Sequence, residues 1–433
     1  MFVHRLRRSG VINVVLVCLV IFGVAHISNI FENVTKTIVS IEDPAISVLD
    51  GGVLGASEPT STADGSSTFV GSNIENGHCI LPNVIERSMS AGDVDRITLN
   101  LHVSYDRIDS GLLKQIDNWD GPISLAVVFP TKIEQTSMEV KCVAKMLKIF
   151  QNNHTGTNYK LSAHFLLQKH AGQCTGIDFP EVFETDLEKA TCKFPRLPKT
   201  PNQKVEQMAA YAVNDARNLA RNMSSTNYIL IADMDHFFSK NFEAKMLGAA
   251  KKHLTKDPKI ALVYRIFEVA EDVPAFPTNK KELQSLIREN KAQEFHKFYG
   301  AHNIPKLQEW FKARDYGNAS TDIQFIRQYK WLHWEPQFVS VSTIPYHDTN
   351  FLYPLRDNTV LRWEMCRAGY KFAIMHDVFM YHPGIKTKVE NKAIDKVRRK
   401  VVRAGHRALR LFNERMTNEY PTTDKACPKF THF

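Results

Sequence analysis

The chain is 433 residues long and 43% hydrophobic, enough to bury one large core or two modest ones. Its 55 Lys and Arg against 46 Asp and Glu give a net charge of +9, which suits an anionic substrate. No basic cluster is interleaved with a nucleic-acid-binding motif and no C-x-x-C or H-E-x-x-H pattern offers a zinc site, so neither partner is expected.

At the start of the chain, Arg5, Arg7 and Arg8 precede Ser9–Phe31, a stretch free of Asp, Glu, Lys and Arg. Its length and apolar centre predict a transmembrane signal anchor over 9–31, with 1–8 cytoplasmic and the remainder luminal. A cleaved signal peptide is the competing reading, but no convincing small-x-small site follows. Ser, Thr, Gly, Asp and Pro then dominate, so 32–78 reads as a flexible stem and 79–433 as the folded body. Sequons at Asn33, Asn153, Asn222 and Asn318 fit a luminal body, with Asn33 too near the membrane for modification. Cys18 falls in the span. The other six cysteines, at 79, 142, 174, 192, 366 and 427, could pair in an oxidising compartment, in any of fifteen connectivities.

Within the body, strands and helices alternate. Gly121-Pro122 leads into a buried strand over Ile123–Phe129, and Val140, Val143, Met146, Leu147 and Phe150 predict a helix over Glu134–Phe150. Lys160–Leu167 reads as a strand. Thr200, Pro201 and Gln203 spell a capping box with proline at the first helical position. Val205, Met208, Ala209, Ala212, Ala216 and Leu219 then give a single helix one apolar stripe. A strand at Lys259–Phe267 follows, then helices at Lys280–Phe295 and Arg356–Gly369, a strand at Tyr370–Tyr381 and a basic helix at Lys392–Phe412. That alternation implies an α/β fold with a mostly parallel central sheet flanked by helices.

The chemistry concentrates at Asn227–Phe238, N-Y-I-L-I-A-D-M-D-H-F-F. An apolar run, Tyr228–Ala232, has the character of a strand buried on both faces, and it ends at Asp233-Met234-Asp235. Residues two apart in extended chain share a face, so both carboxylates can converge on one Mg²⁺ or Mn²⁺ where ligands gather in α/β sheets. A pair of solvated strand-end aspartates is the plainer reading of a lone D-x-D.

Five pieces, the D-x-D run among them, carry a resemblance. Gly121–Ala126, Tyr211–Asn214 with Arg217 and Asn218, and Tyr228–Phe237 come first; Trp334-Glu335-Pro336 with Val339 and Phe351, and Tyr381-His382-Pro383-Gly384-Ile385-Lys386, complete the order. In this order, across roughly 95–415, the chain resembles glycosyltransferase family 49, the family of β-1,4-glucuronyltransferases and LARGE-type second catalytic domains. The resemblance implies a GT-A type nucleotide-sugar transferase fold in a single-pass type II Golgi membrane protein. It also implies metal-dependent, inverting transfer, with Mn²⁺ or Mg²⁺, from a UDP-sugar to a glycan acceptor on a glycoprotein or glycolipid. Glucuronic acid or N-acetylglucosamine is the implied sugar, and a homodimer or a transferase partner is compatible with it.

Residue by residue, Asp233, Asp235 and His382 match the family's metal ligands. Gly384 would let backbone approach phosphate and Lys386 would neutralise it. Arg217 and Asn218 match a helix where nucleotide contacts are expected, and His302 resembles a family Gly-His-x-Pro stretch on the acceptor side. The chain departs from the family at Phe351–Asn358, where a Gly-aromatic-Asn segment is usual. An inverting transfer needs one carboxylate to take the acceptor's proton. Asp357 stands where GT-A enzymes keep that base, a helix N-cap being its plainer role, and Glu335 is the reserve. A catalytically silent, membrane-anchored glycan-binding or partner protein of the same fold is the alternative function.

Overall fold

A computed structural model describes residues 72–73, 77–88, 94–129, 133–135, 137–168, 174, 200–386 and 391–431. The predicted span 9–31, Asn33, Cys18, Cys192 and nearly all of the predicted stem lie outside the described residues. Among the described residues no helix is long and apolar enough to cross a membrane.

One sheet organises these residues. Its strands in chain order are β1 (72–73), β2 (79–85), β3 (97–104), β4 (123–129), β5 (161–167), β6 (228–231), β7 (237–238) and β8 (260–269). After them come β9 (292–294), β10 (323–327), β11 (337–341) and β12 (371–383). They are arranged β1-β2-β5-β4-β3-β6-β11-β8-β12-β10, with β7 added on β12 and β9 on β8. The expectation of a mostly parallel sheet is corrected here. Only β3–β4, β3–β6, β4–β5 and β8–β12 pair parallel among the described strands; the other pairings are antiparallel. Parallel neighbours need a long crossover, which helices 110–118 and 138–153 supply for β3–β4 and β4–β5; β7, β10 and β11 instead pair antiparallel with strands distant in the chain, and β9 returns to β8 after helix 280–288.

Apolar runs explain the centre. Every residue of β4, β5 and β8 is buried. Leu99, Leu101, Leu125, Val127, Phe165 and Leu230 pack with Val140, Val143 and Leu147 of helix 138–153 in the main core. A second core gathers Trp334, Phe351, Trp363, Phe372 and Phe412 under helices 359–367 and 391–419. Disulfides Cys79–Cys174 and Cys366–Cys427 tie the chain, and Cys142 is also disulfide-bonded.

Two predicted helices are corrected. The capping box at Thr200 forms as expected, with Thr200 Oγ1 accepting from Gln203 N–H, but the helix stops at Ala209 and a second one runs over Val213–Asn222. Between them Tyr211 turns inward to meet His102, and Ala212 N–H donates to Gln168 Oε1. Tertiary partners thus outcompete the helical ladder. Likewise Lys280–Phe295 is a helix only to Arg288. Asn290 at φ 57° and the Lys291 N–H to Leu286 O bond close it with a left-handed cap, freeing 292–294 to pair with β8.

Candidate active site

β6 runs parallel to β3 and stops after Ile231, so Asp233 lies beyond the strand. The aspartates therefore converge through a turn, correcting the strand-alternation argument: His236 N–H donates to Asp233 O at 3.2 Å, and the chain re-enters the sheet as β7. β7 pairs with β12 at Phe237↔Tyr381, which sets the D-x-D turn beside His382. Helix 110–118 clamps the turn from below, with Gln115 Nε2 donating to His236 O at 2.8 Å and Asn118 bonding both ways to Phe238.

His382 Nε2 lies 3.1 Å from Asp235 Oδ2, and its Nδ1 faces Gly384 O at 3.3 Å. That second contact orients the ring and leaves Nε2 for the carboxylate or a cation. Asp233, Asp235 and the adjacent His236 hold potential ligand atoms within 4.8 Å of one another. His236 is buried; its Nε2 lies 3.9 Å from Asp235 Oδ1, and its Nδ1 has no hydrogen-bond partner. Two half-exposed carboxylates with imidazole support fit Mn²⁺ or Mg²⁺.

The surrounding charge favours ionised aspartates. Desolvation alone would raise Asp233, but contact with His102 and the positive charge of His236, His102 and Arg217 outweigh it, and its carboxyl sits well below the usual range. Asp235 is held down similarly, against desolvation and Asp233, by His382 and His236. His102 on β3 reaches Asp233 Oδ1 at 3.2 Å and Tyr211 Oη at 2.9 Å, while Arg217 lies 3.9 Å from the same Asp233 oxygen.

The two candidate bases occupy different surroundings. Asp357 is buried and paired with Arg217 at 2.9 Å; burial pushes its pKa up and Arg217 pulls against that. It is no helix cap either, since Asn358 holds the N-cap position of helix 359–367. Glu335 is a quarter exposed. Thr359 Oγ1 donates to its Oε1 at 2.6 Å, and its Oε2 faces His302 Nε2 at 3.8 Å. Antiparallel register (Val339↔Leu230) puts Glu335, two residues before β11, level with the D-x-D turn beyond β6.

The remaining candidates separate. Lys386 Nζ stands 3.4 Å from His296 Nε2 and over the Phe295 ring, and Gly384 takes φ +90°. Asn218 does not face the metal pair: its amide donates to His347 O at 2.8 Å and accepts from His347 N–H at 3.0 Å, pinning that loop. Asn153, Asn222 and Asn318 are all exposed.

Several residues escaped the sequence reading. His236 follows Asp235 directly, so adjacency was its signal. Glu268, wholly buried in the apolar run of β8, accepts from Gln293 Nε2 and from the N–H groups of His296 and Lys386, tying together the loops that flank His382. A carboxylate inside an apolar strand was its signal. His102 gave none. Around Phe295, His236, His296, His302 and His382 all lie within ring-contact distance, and burial pushes His296 and His302 down to about 3.

With this geometry in place, comparison adds kinship. A family model described as "Glycosyl-transferase for dystroglycan" matches residues 96–421. Beta-1,4-glucuronyltransferase 1 of Mus musculus is 24% identical over 350 residues, covering 77% of this chain and 78% of that protein. The Danio rerio protein of the same name is 24% identical over 234 residues, 53% of this chain and 52% of that protein. Xylosyl- and glucuronyltransferase LARGE2 of Mus musculus is 26% identical over 176 residues, 40% of this chain and 24% of that protein.

Proposed function

The chain belongs to the family of glycosyl-transferases for dystroglycan, and from that premise we propose that it is a GT-A-type, metal-dependent, inverting enzyme acting on a UDP-sugar. Glucuronic acid is the first choice of sugar, because the relatives are named glucuronyltransferases, and N-acetylglucosamine the second. The observation that carries the reading is the D-x-D turn docked on β12, with His382 Nε2 3.1 Å from Asp235.

Asp233, Asp235, His382 and His236 are the residues to hold a cation, Mn²⁺ or Mg²⁺. Bound there, it offsets the charge developing on the departing diphosphate. Lys386 adds positive charge on the same side, and Gly384 leaves the backbone of its loop open to phosphate. Glu335 takes the proton of the acceptor hydroxyl as the oxygen bonds to the anomeric carbon. The bond from that carbon to the UDP oxygen breaks on the opposite face, UDP leaving with the electron pair and the product inverted to a β linkage. Thr359 fixes one Glu335 oxygen and leaves the other for this task. Asp357 and Asn218 serve beneath: one neutralises Arg217, the other holds the loop at His347.

Residues 9–31 anchor the enzyme in the Golgi membrane in this reading, with 79–433 luminal and Asn153, Asn222 or Asn318 glycosylated. A glycosidase-sensitive mobility shift of the full-length protein checks that placement. Catalysis is tested by incubating the full-length protein and a panel of oligosaccharide acceptors with UDP-glucuronic acid, UDP-N-acetylglucosamine or UDP-xylose and measuring UDP release. Release from the first, abolished by EDTA and restored by Mn²⁺, is expected. Release indifferent to chelation removes the metal role, and no release from any donor removes the transferase role.

A further inference from the structure

Four of the five tryptophans, Trp119, Trp310, Trp334 and Trp363, are wholly buried, whereas Trp331 is 38% exposed. Tyr299 is 52% exposed. These two rings stand on the loops that carry His302 and Glu335, and the loops are laced together by the Glu335 N–H to Ala301 O bond at 2.8 Å. Gly300, next to Tyr299, is where the Trp331 ring approaches the other loop. At φ +66° it has no side chain, and a Cβ there would lie 3.5 Å from Trp331 Cη2, so the indole edge rests against the backbone next to Tyr299.

A chain of packed rings leads from Tyr299 to the site. Tyr299 lies 6.2 Å ring to ring from His296, His296 stacks on Phe295 at 4.0 Å, and Phe295 is 5.7 Å from His382. On its other flank Trp331 is 5.8 Å from His333, which hydrogen-bonds Arg356. Lys297 and Lys330 are exposed beside the two rings. Single exposed aromatics are ordinary, but a pair joined to a reaction site and bordered by hydrogen-bond donors is a recognition surface.

We propose that Tyr299 and Trp331 form the acceptor subsite, stacking on sugar rings of a glycan whose terminal hydroxyl reaches Glu335. A sugar matches this surface on both counts: its C–H face is apolar and fits an aromatic ring, while its hydroxyl edge needs donors such as His333, Arg356 and Lys330. A folded protein docking here would need a wider apolar patch than Tyr299, Trp331 and the adjacent exposed Phe298 offer. The loop of Trp331 also carries Glu335, which the Glu335 N–H to Ala301 O bond ties to the loop of Tyr299. This inference rests on the transferase reading.

The test uses the full-length protein with Mn²⁺ and UDP on an array of defined oligosaccharides that includes xylose- and glucuronate-containing chains, with UDP affinity measured in parallel by calorimetry. The wild type should retain one or more saccharides. Trp331→Ala and Tyr299→Ala should each lose that signal by about tenfold, as truncation of a contact aromatic does, with UDP affinity unchanged. Trp331→Phe should keep most of it. Retention of the same saccharides by the Ala variants overturns the subsite, as does a wild type that binds UDP yet no saccharide. Loss of UDP affinity together with saccharide also overturns it, because the rings would then serve the fold. If the wild type binds no UDP with Mn²⁺, the transferase reading itself has failed.

Discussion

On one side of the β6–β11 junction, β5, β4, β3 and β6 run parallel and are joined through helices; on the other, β11, β8, β12 and β10 mix directions and carry the short β7 and β9. The parallel half is almost wholly apolar in its strands and delivers few polar groups to the site: the D-x-D turn at the end of β6, His102 from β3 and Arg217 from the helix before β6. The mixed half delivers His382, Glu268, Glu335, His302 and Lys386, mostly from loops. The D-x-D aspartates thus come from the parallel half, whereas His382, Lys386 and the candidate base Glu335 come from the mixed half. Holding a charged donor and moving a proton should therefore be separable by mutation.

The largest effect tests that separation directly. Glu335→Gln keeps the size and the Thr359 contact but cannot accept a proton. Transfer should fall by roughly 10²–10⁴-fold, the usual contribution of a general base, while UDP affinity with Mn²⁺ stays near wild type. Calorimetry beside single-turnover transfer reads both quantities. If Glu335→Gln remains active and Asp357→Asn instead loses transfer with UDP affinity intact, the proton moves to Asp357 and Glu335 is not the base.

Acid stability sharpens the comparison from the parallel half. His164 on β5 is wholly buried; its Nδ1 accepts from Asn83 N–H at 2.9 Å and its Nε2 faces Ser124 Oγ at 3.2 Å. Burial, helped by Arg87, pushes its pKa down to about 3 from an ordinary 6.5. Below pH 6.5 the unfolded chain therefore binds a proton that the folded chain refuses. This contribution is intact above that value and is lost as pH falls towards 3, with a slope approaching ~1.4 kcal/mol per pH unit. Urea midpoints at pH 7, 5.5 and 4.5 should fall steeply in the wild type and less so in His164→Gln. Equal slopes in the two proteins would place the acid-sensitive group elsewhere.

Next in size is Asp235→Asn, which removes formal charge from the cation site without changing its bulk. UDP affinity measured with Mn²⁺ should weaken by about an order of magnitude, since a contact to a charged group is worth ~1.5–3 kcal/mol. Affinity measured with EDTA should not change. An unaltered Mn²⁺ dependence would leave the D-x-D turn without its role.

The same division governs what the sequence could say. Ile123–Phe129 and the strand read at Lys160–Leu167 are apolar runs whose burial decides their structure, and they were placed within a residue or so of their observed ends. Residue types and order single out the D-x-D pair and His382, with Asp357 ahead of Glu335 as the base, and the structure brings His382 within 3.1 Å of Asp235. The mixed half was not legible in this way. β9, β10 and β11 are three to five residues long and exist through their neighbours, and Asn290 ends a helix that side-chain periodicity would have continued. The Arg217–Asp357 pair joins residues 140 positions apart, and nothing local announces it.

The smallest expected effect isolates one backbone position in the mixed half. Gly384 takes φ +90°, where a side chain is strained, and its carbonyl oxygen faces His382 Nδ1 at 3.3 Å. A Cβ added there would meet Glu271 Oε1 at 3.3 Å, the far end of a flexible side chain that can swing away, so backbone strain rather than collision sets the cost. Gly317 supplies the control: φ is +91°, nothing lies within 4 Å of an added Cβ, and the residue sits in an exposed loop. Gly384→Ala and Gly317→Ala should each lose ~1–2 kcal/mol of stability by denaturant unfolding. Only Gly384→Ala should also weaken UDP binding with Mn²⁺, by a factor of about three to ten, less than the ~10–100-fold lost when a partner that orients a metal-binding histidine is removed outright. Equal UDP affinity in the two variants would show that the Gly384 carbonyl does not set the His382 ring, leaving β12 alone to aim it.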